Sequence, residues 1–168
     1  MLMFIKKYSF MVRCVICVIL FLLIAGTFFS CGTGMKIRSL LGGRLQVAVK
    51  ISEDANQNHP VSMDLVFVYD EKLMEELLKL SAKEWLEKRD QIKRDHVEGK
   101  GLDIWGWEWT PGQEIPVQEL PLNANAEAAL IFADYLSPGA HRIRVDPFKD
   151  ITIRLLKDDI FAESSQDK

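Results

Sequence analysis

Cysteine is scarce in this 168-residue chain, and its three copies stand at 14, 17 and 31, in or beside an apolar N-terminus. Thiols so placed cannot staple the rest of the chain as a disulfide scaffold. Histidine is equally sparse. His59, His96 and His141 fall in separate loops or loop–strand junctions, with no H-x-x-x-H or H-E-x-x-H spacing between them. No G-x-S-x-G elbow and no phosphate-cradling glycine loop occurs, and the acid pairs Asp158-Asp159 and Glu75-Glu76 sit in charged, solvated surroundings. An excess of positive charge is also missing. The formal net charge of −3 combines +3 over residues 1–30, from Lys6, Lys7 and Arg13, with −6 over residues 31–168, where 18 basic residues meet 24 acidic ones. A body of charge −6 argues against a general nucleic-acid binder, which needs a basic face to displace counterions from phosphates. Internal repeats and low-complexity tracts are absent, and the length suits one domain.

What is present begins with a bacterial secretory signal over residues 1–30. A basic segment ends at Arg13, followed by an uncharged, almost wholly apolar stretch from Cys14 to Phe29, then Ser30 and Cys31. As a helix the stretch would span ~24 Å, short of the ~30 Å hydrocarbon core, so it fits a signal peptide better than a spanning helix. Met11 is an alternative start. Residues 31–43, bounded by glycines, read as a tether.

From Arg44 the hydropathy alternates with period 2: Leu45, Val47, Val49 and Ile51 share one face of a strand running to Ser52. Residues 53–60 form a polar loop closed by Pro60. A second strand from Val61 to Tyr69 points Met63, Leu65, Phe67 and Tyr69 inward and Ser62 and Asp64 outward, while Val66 and Val68 on the far face call for a covering element. The cover is predicted over 70–95. Asp70 caps a helix carrying Leu73, Leu77 and Leu80, and Ser81-Ala-Lys-Glu84 is a capping box opening a second helix through about Arg94. Further strands are expected at Leu102–Thr110, Gln113–Leu120 (an edge, by Pro116), Ala126–Tyr135, His141–Val145 and Ile151–Leu156. The pattern predicts an all-β sandwich of about seven short strands with a two-helix insertion, spanning 44–161, and a disordered polar tail over 162–168.

Few features ask for a function. Trp105, Trp107 and Trp109 alternate onto one face, which could stack a glycan or other ligand, form a partner hot spot, or pack as core beneath the two helices. His141-Arg142 could meet an anion or simply start an exposed strand. The loop Glu53, Asp54, Asn56, Gln57, Asn58, His59 reads either as plain solvent loop or as an interaction loop. No nucleophile–base pair can be named, so no catalytic residue, cofactor or metal site is expected.

Two resemblances give these features direction. A small residue followed by Cys31 at the end of the apolar stretch resembles the lipobox of bacterial lipoproteins, with Phe28 where leucine is usual. In that family the cysteine is acylated on sulfur and becomes the mature N-terminus, and Gly32, not being aspartate, favours the outer membrane. The alternative is an uncleaved anchor. With Cys14 and Cys17 removed and Cys31 acylated, the body would hold no thiol for catalysis or zinc, and several acyl chains would anchor it without a spanning helix.

Beyond the lipobox, an alternating strand, a Pro60-closed loop, Val61-Ser-Met-Asp-Leu-Val-Phe-Val-Tyr-Asp70, the Trp109-Thr-Pro-Gly-Gln113 turn and Ala128-to-Tyr135 before His141-Arg142 follow in an order that resembles the TssJ (SciN/VasD) lipoproteins of the type VI secretion system. His141 replaces a common tryptophan, and the insertion at 71–95 is longer and more charged. The resemblance implies a transthyretin-like sandwich, tethered to the outer membrane and facing the periplasm. It further implies no catalysis, and a loop between the first two strands (residues 53–59) that docks a TssM-like inner-membrane protein.

Overall fold

A computed structural model describes residues 42–96 and 100–164. The signal segment, Cys31 and most of the predicted tether lie outside the described residues, as do the last four positions. The described chain runs β1 (Arg44–Ile51), β2 (Val61–Val68), α1 (Glu71–Leu77), α2 (Ala82–Asp95), β3 (Leu102–Trp109), β4 (Gln118–Pro121), β5 (Ala128–Ala133), β6 (Arg142–Val145), β7 (Ile151–Leu155) and β8 (Ile160–Ser164). Two four-stranded sheets result, ordered β4-β1-β7-β8 and β3-β2-β5-β6. All pairings are antiparallel except β1 with β7, which is parallel.

The period-2 pattern does what it predicts. Leu45, Val47 and Val49 of β1 and Met63, Leu65 and Phe67 of β2 all point between the sheets and join Ile131, Ile151, Ile153 and Leu155 in one core. Burying each such side chain contributes roughly 1.5–3 kcal/mol. A second apolar layer forms on the outer face of the β3-β2-β5-β6 sheet. There Val66, Val68, Leu130 and Phe132 are covered by Leu73, Leu77, Ala82 and Trp85 of the helices. Trp85 lies stacked on Phe132, with ring centroids 4.9 Å apart. Both helix starts are capped as the sequence predicts: the Asp70 carboxylate accepts from Leu73 N at 2.8 Å, and Ser81 and Glu84 form a complete capping box.

Four expectations change. The region 113–120 is strand only from Gln118, because the chain from Thr110 to Val117 crosses from one sheet to the other. Pro116 does precede an edge strand. An eighth strand, Ile160–Ser164, pairs with β7 and takes in the first three residues of the predicted tail; Ile160 anchors it at 3 % exposure. Asp64 faces outward as expected, yet it does not meet water: it is only 1 % exposed, because α2 lies over it. Its carboxylate accepts from Trp85 Nε1 at 2.8 Å and from Arg89 Nη1 at 3.2 Å. The tryptophans occupy neither predicted position: Trp105, Trp107 and Trp109 are half-buried against the inter-sheet core, not under the helices. β3 is an edge strand, so its inward face is only partly covered. Trp105 meets Phe67 edge-on at 5.1 Å and Trp107 stacks with Trp109 at 6.1 Å, so ring surface is used in packing.

Candidate functional site

The loop after β1 takes an unusual backbone. Asn56, Gln57 and Asn58 have φ of 46°, 55° and 66°, three consecutive residues in the left-handed region. L-residues pay roughly 1–2 kcal/mol each for that conformation, least for Asn, so a run of three needs external restraint. The restraint is visible. Asn56 N donates to Leu156 O at 3.1 Å, Gln57 N to Lys157 O at 3.2 Å, and His59 N back to Asn56 O at 3.0 Å. The Asn56 amide donates to Pro60 O at 2.9 Å and approaches Asp134 O at 3.4 Å, while its Oδ1 accepts from Leu136 N at 2.7 Å. Gln57 Nε2 adds a bond to Asp158 Oδ1 at 3.1 Å. The Asn56 side chain thus fastens the β1–β2 loop to the β5–β6 loop, while the backbone of Asn56 and Gln57 and the Gln57 side chain fasten it to the β7–β8 loop, all at the same end of the sandwich.

The six loop residues therefore divide. Glu53, Asp54, Gln57, Asn58 and His59 are exposed, as an interaction loop requires, whereas Asn56 is 3 % exposed beside fully buried Ala55. Grouping Asn56 with the contact residues assumes that a polar loop residue faces water. Here its amide satisfies main-chain groups that burial would otherwise orphan, so it shapes the loop and does not offer itself to a partner. The signal available in sequence was the Asn-Gln-Asn run, since Asn tolerates the left-handed region best.

His141 also differs from the exposed strand start expected of it. It is 8 % exposed, has φ 43°, and stacks on Tyr135 at 5.0 Å. Its Nδ1 lies 2.9 Å from Asp159 Oδ1 and its Nε2 3.4 Å from Ser137 Oγ, a Ser–His–Asp succession that sequence spacing did not reveal. Its geometry is not that of an activated nucleophile. Ser137 Oγ donates to Asp158 O at 2.6 Å, and Nε2 lies closer, at 2.8 Å, to the Ser137 carbonyl. With Nε2 donating to that carbonyl, the nitrogen nearest the hydroxyl has no lone pair for its proton, and Nδ1 faces Asp159 instead. The cluster clips the β5–β6 and β7–β8 loops together. Arg142 is likewise occupied, donating to Leu80 O at the turn between the helices. Burial raises the Tyr135 phenol well above its ordinary value of 10.0, against a smaller opposing effect from the Leu156 main chain. Among the described residues, no group of three or more His, Cys, Asp or Glu side chains is placed to hold a metal ion.

No protein-family model and no curated protein matches the chain. Solved structures do. The type VI secretion lipoprotein TssJ1 from Pseudomonas aeruginosa is 14 % identical with a TM-score of 0.58, covering 76 % of this chain and 99 % of that one. Lip from Serratia marcescens, a membrane-bound component of the type VI secretion system, is 15 % identical with a TM-score of 0.55, covering 75 % and 99 %. A chain of a type VI membrane complex is 13 % identical with a TM-score of 0.54, covering 70 % and 95 %. At such identities the likeness is one of architecture, and the architecture of this chain is that of the TssJ lipoproteins of type VI secretion.

Proposed function

We propose that this chain is a non-enzymatic lipoprotein of a type VI secretion membrane complex, acylated at Cys31 and held on the outer membrane facing the periplasm. Its sandwich docks a TssM-like inner-membrane protein through the exposed side chains of residues 53–59. The observation that carries the reading is the left-handed turn at Asn56–Asn58, fixed by bonds to two other loops. A loop held this way presents its side chains without an ordering cost at the moment of binding, which favours recognition over plain solvation. The fold shared with TssJ1 and Lip supports the same reading.

The test is co-purification with the TssM-like periplasmic domain. Replacing Glu53, Asp54, Gln57, Asn58 and His59 by Ser or Gly, while keeping Ala55 and Asn56, should abolish capture and leave the far-UV circular dichroism unchanged. Retained capture removes the loop assignment. Labelling with a clickable palmitate, lost in Cys31→Ser, tests the anchor; labelling that survives the substitution rules out Cys31 as the acylated residue.

A further inference from the structure

Two large aliphatic side chains are exposed beside the docking loop, Leu136 at 59 % and Leu156 at 38 %. Both ride on main chain gripped by Asn56, which accepts from Leu136 N through its side chain and donates to Leu156 O through its own backbone. Leu156 N is further held by Asp159 O at 3.0 Å. The two leucines are therefore set on restrained backbone, each bonded to the residue that opens the left-handed turn. Single exposed leucines are common on protein surfaces; two fixed to one buried asparagine at a loop platform are a pair of preset apolar knobs.

Charge around them is one-sided. The segments 52–60, 134–141 and 156–159 together carry five carboxylates and one lysine, Lys157. The helical insertion over 71–95, by contrast, carries seven acids and seven bases. Most of the body's acid excess thus collects at the loop end, and the helical flank is neutral. A protein surface that accepts this end must bring positive charge to its rim, since like charges placed opposite it would repel.

We infer that the partner contacts a composite platform of three loops, seating Leu136 and Leu156 in apolar pockets ringed by Lys or Arg. The inference rests on the loop reading above and extends it: the β1–β2 loop supplies shape, and the other two loops supply the apolar anchors. Association is then salt-dependent, because the carboxylates of the rim are exposed and screened by ions.

The experiment measures binding of the full folded domain to the purified TssM-like periplasmic domain by surface plasmon resonance. Leu136→Ser, Leu156→Ser and the double variant are compared with the loop replacement described above. Both leucines are exposed, so the variants should keep the wild-type melting profile, which is checked in parallel. The double variant should raise Kd by about tenfold or more, chiefly through faster dissociation. Raising salt from roughly 50 to about 300 mM should weaken the wild type, and Asp54→Lys with Asp158→Lys should remove most of that dependence. If the double leucine variant binds within about twofold of wild type while the loop replacement does not bind, the platform is wrong and the loop reading stands. If the loop replacement binds as wild type, the loop reading fails; salt-independent binding refutes the basic partner.

Discussion

Removing the Asn56 amide is the sharpest test of how the loop end of the sandwich is built. In Asn56→Ala three side-chain contacts disappear: those to Pro60 O at 2.9 Å and Asp134 O at 3.4 Å, and the one from Leu136 N at 2.7 Å. The 3.4 Å contact is long enough to contribute little. Loss of the Leu136 N–H acceptor leaves a donor without its partner at a part-buried position, costing about 1–3 kcal/mol, and the Pro60 carbonyl adds a smaller amount. Alanine at φ 46° adds about 1 kcal/mol relative to asparagine. The sum is about 3 kcal/mol, a large share of the roughly 5–15 kcal/mol that holds a domain together. Thermal and urea unfolding followed by circular dichroism should show it, as a fall in melting temperature of about 10 °C. Asn56→Asp is the informative companion. It is isosteric and keeps the acceptor for Leu136 N, but turns an oxygen toward two carbonyls, so it should lose more than half as much. Should Asn56→Ala unfold within about 1 kcal/mol of wild type, the Asn56 side chain does not hold the β5–β6 loop against the β1–β2 loop, and Leu136 is not preset.

The other predictions concern the flank and the alkaline limit. Asp64→Ala should cost about 3 kcal/mol by leaving Trp85 Nε1 and the Arg89 guanidinium without their buried partner, with earlier loss of helical than of β signal in hydrogen exchange; uniform loss would contradict a latch on α2. Gly106→Ala should perturb the same contact, because a Cβ there would stand 2.6 Å from Asp64 Oδ1. Tyr135 sets a pH limit. Its folded phenol titrates above the unfolded value of 10.0, so its contribution is complete below pH 10.0 and is lost as pH rises beyond it. Unfolding midpoints should fall above that pH, and Tyr135→Phe should flatten the fall; an equal fall in the variant would assign it elsewhere.

The features legible in the residues alone are those that act over a short range. Alternation in residues 44–51 and 61–68 chose the inward faces, since a strand's side chains repeat every two residues. Asp70 and the Ser81–Glu84 box set both helix starts, because a cap acts over three residues. The apolar outer face at Val66 and Val68 announced a cover, and the helices provide it. The β1–β2 loop was legible as a polar segment, but not its shape. Tertiary structure decided that Asn56 is buried, that three residues turn left-handed, and that Leu136 and Leu156 stand beside them. It also buried Asp64 and His141 and laid the tryptophans against the inter-sheet core. Those outcomes rest on partners as far apart as 80 and 101 positions, Asn56 with Leu136 and Gln57 with Asp158. A local pattern carries no information about which distant carbonyl or amide will arrive opposite a side chain, and only packing the two sheets brings these groups within bonding distance.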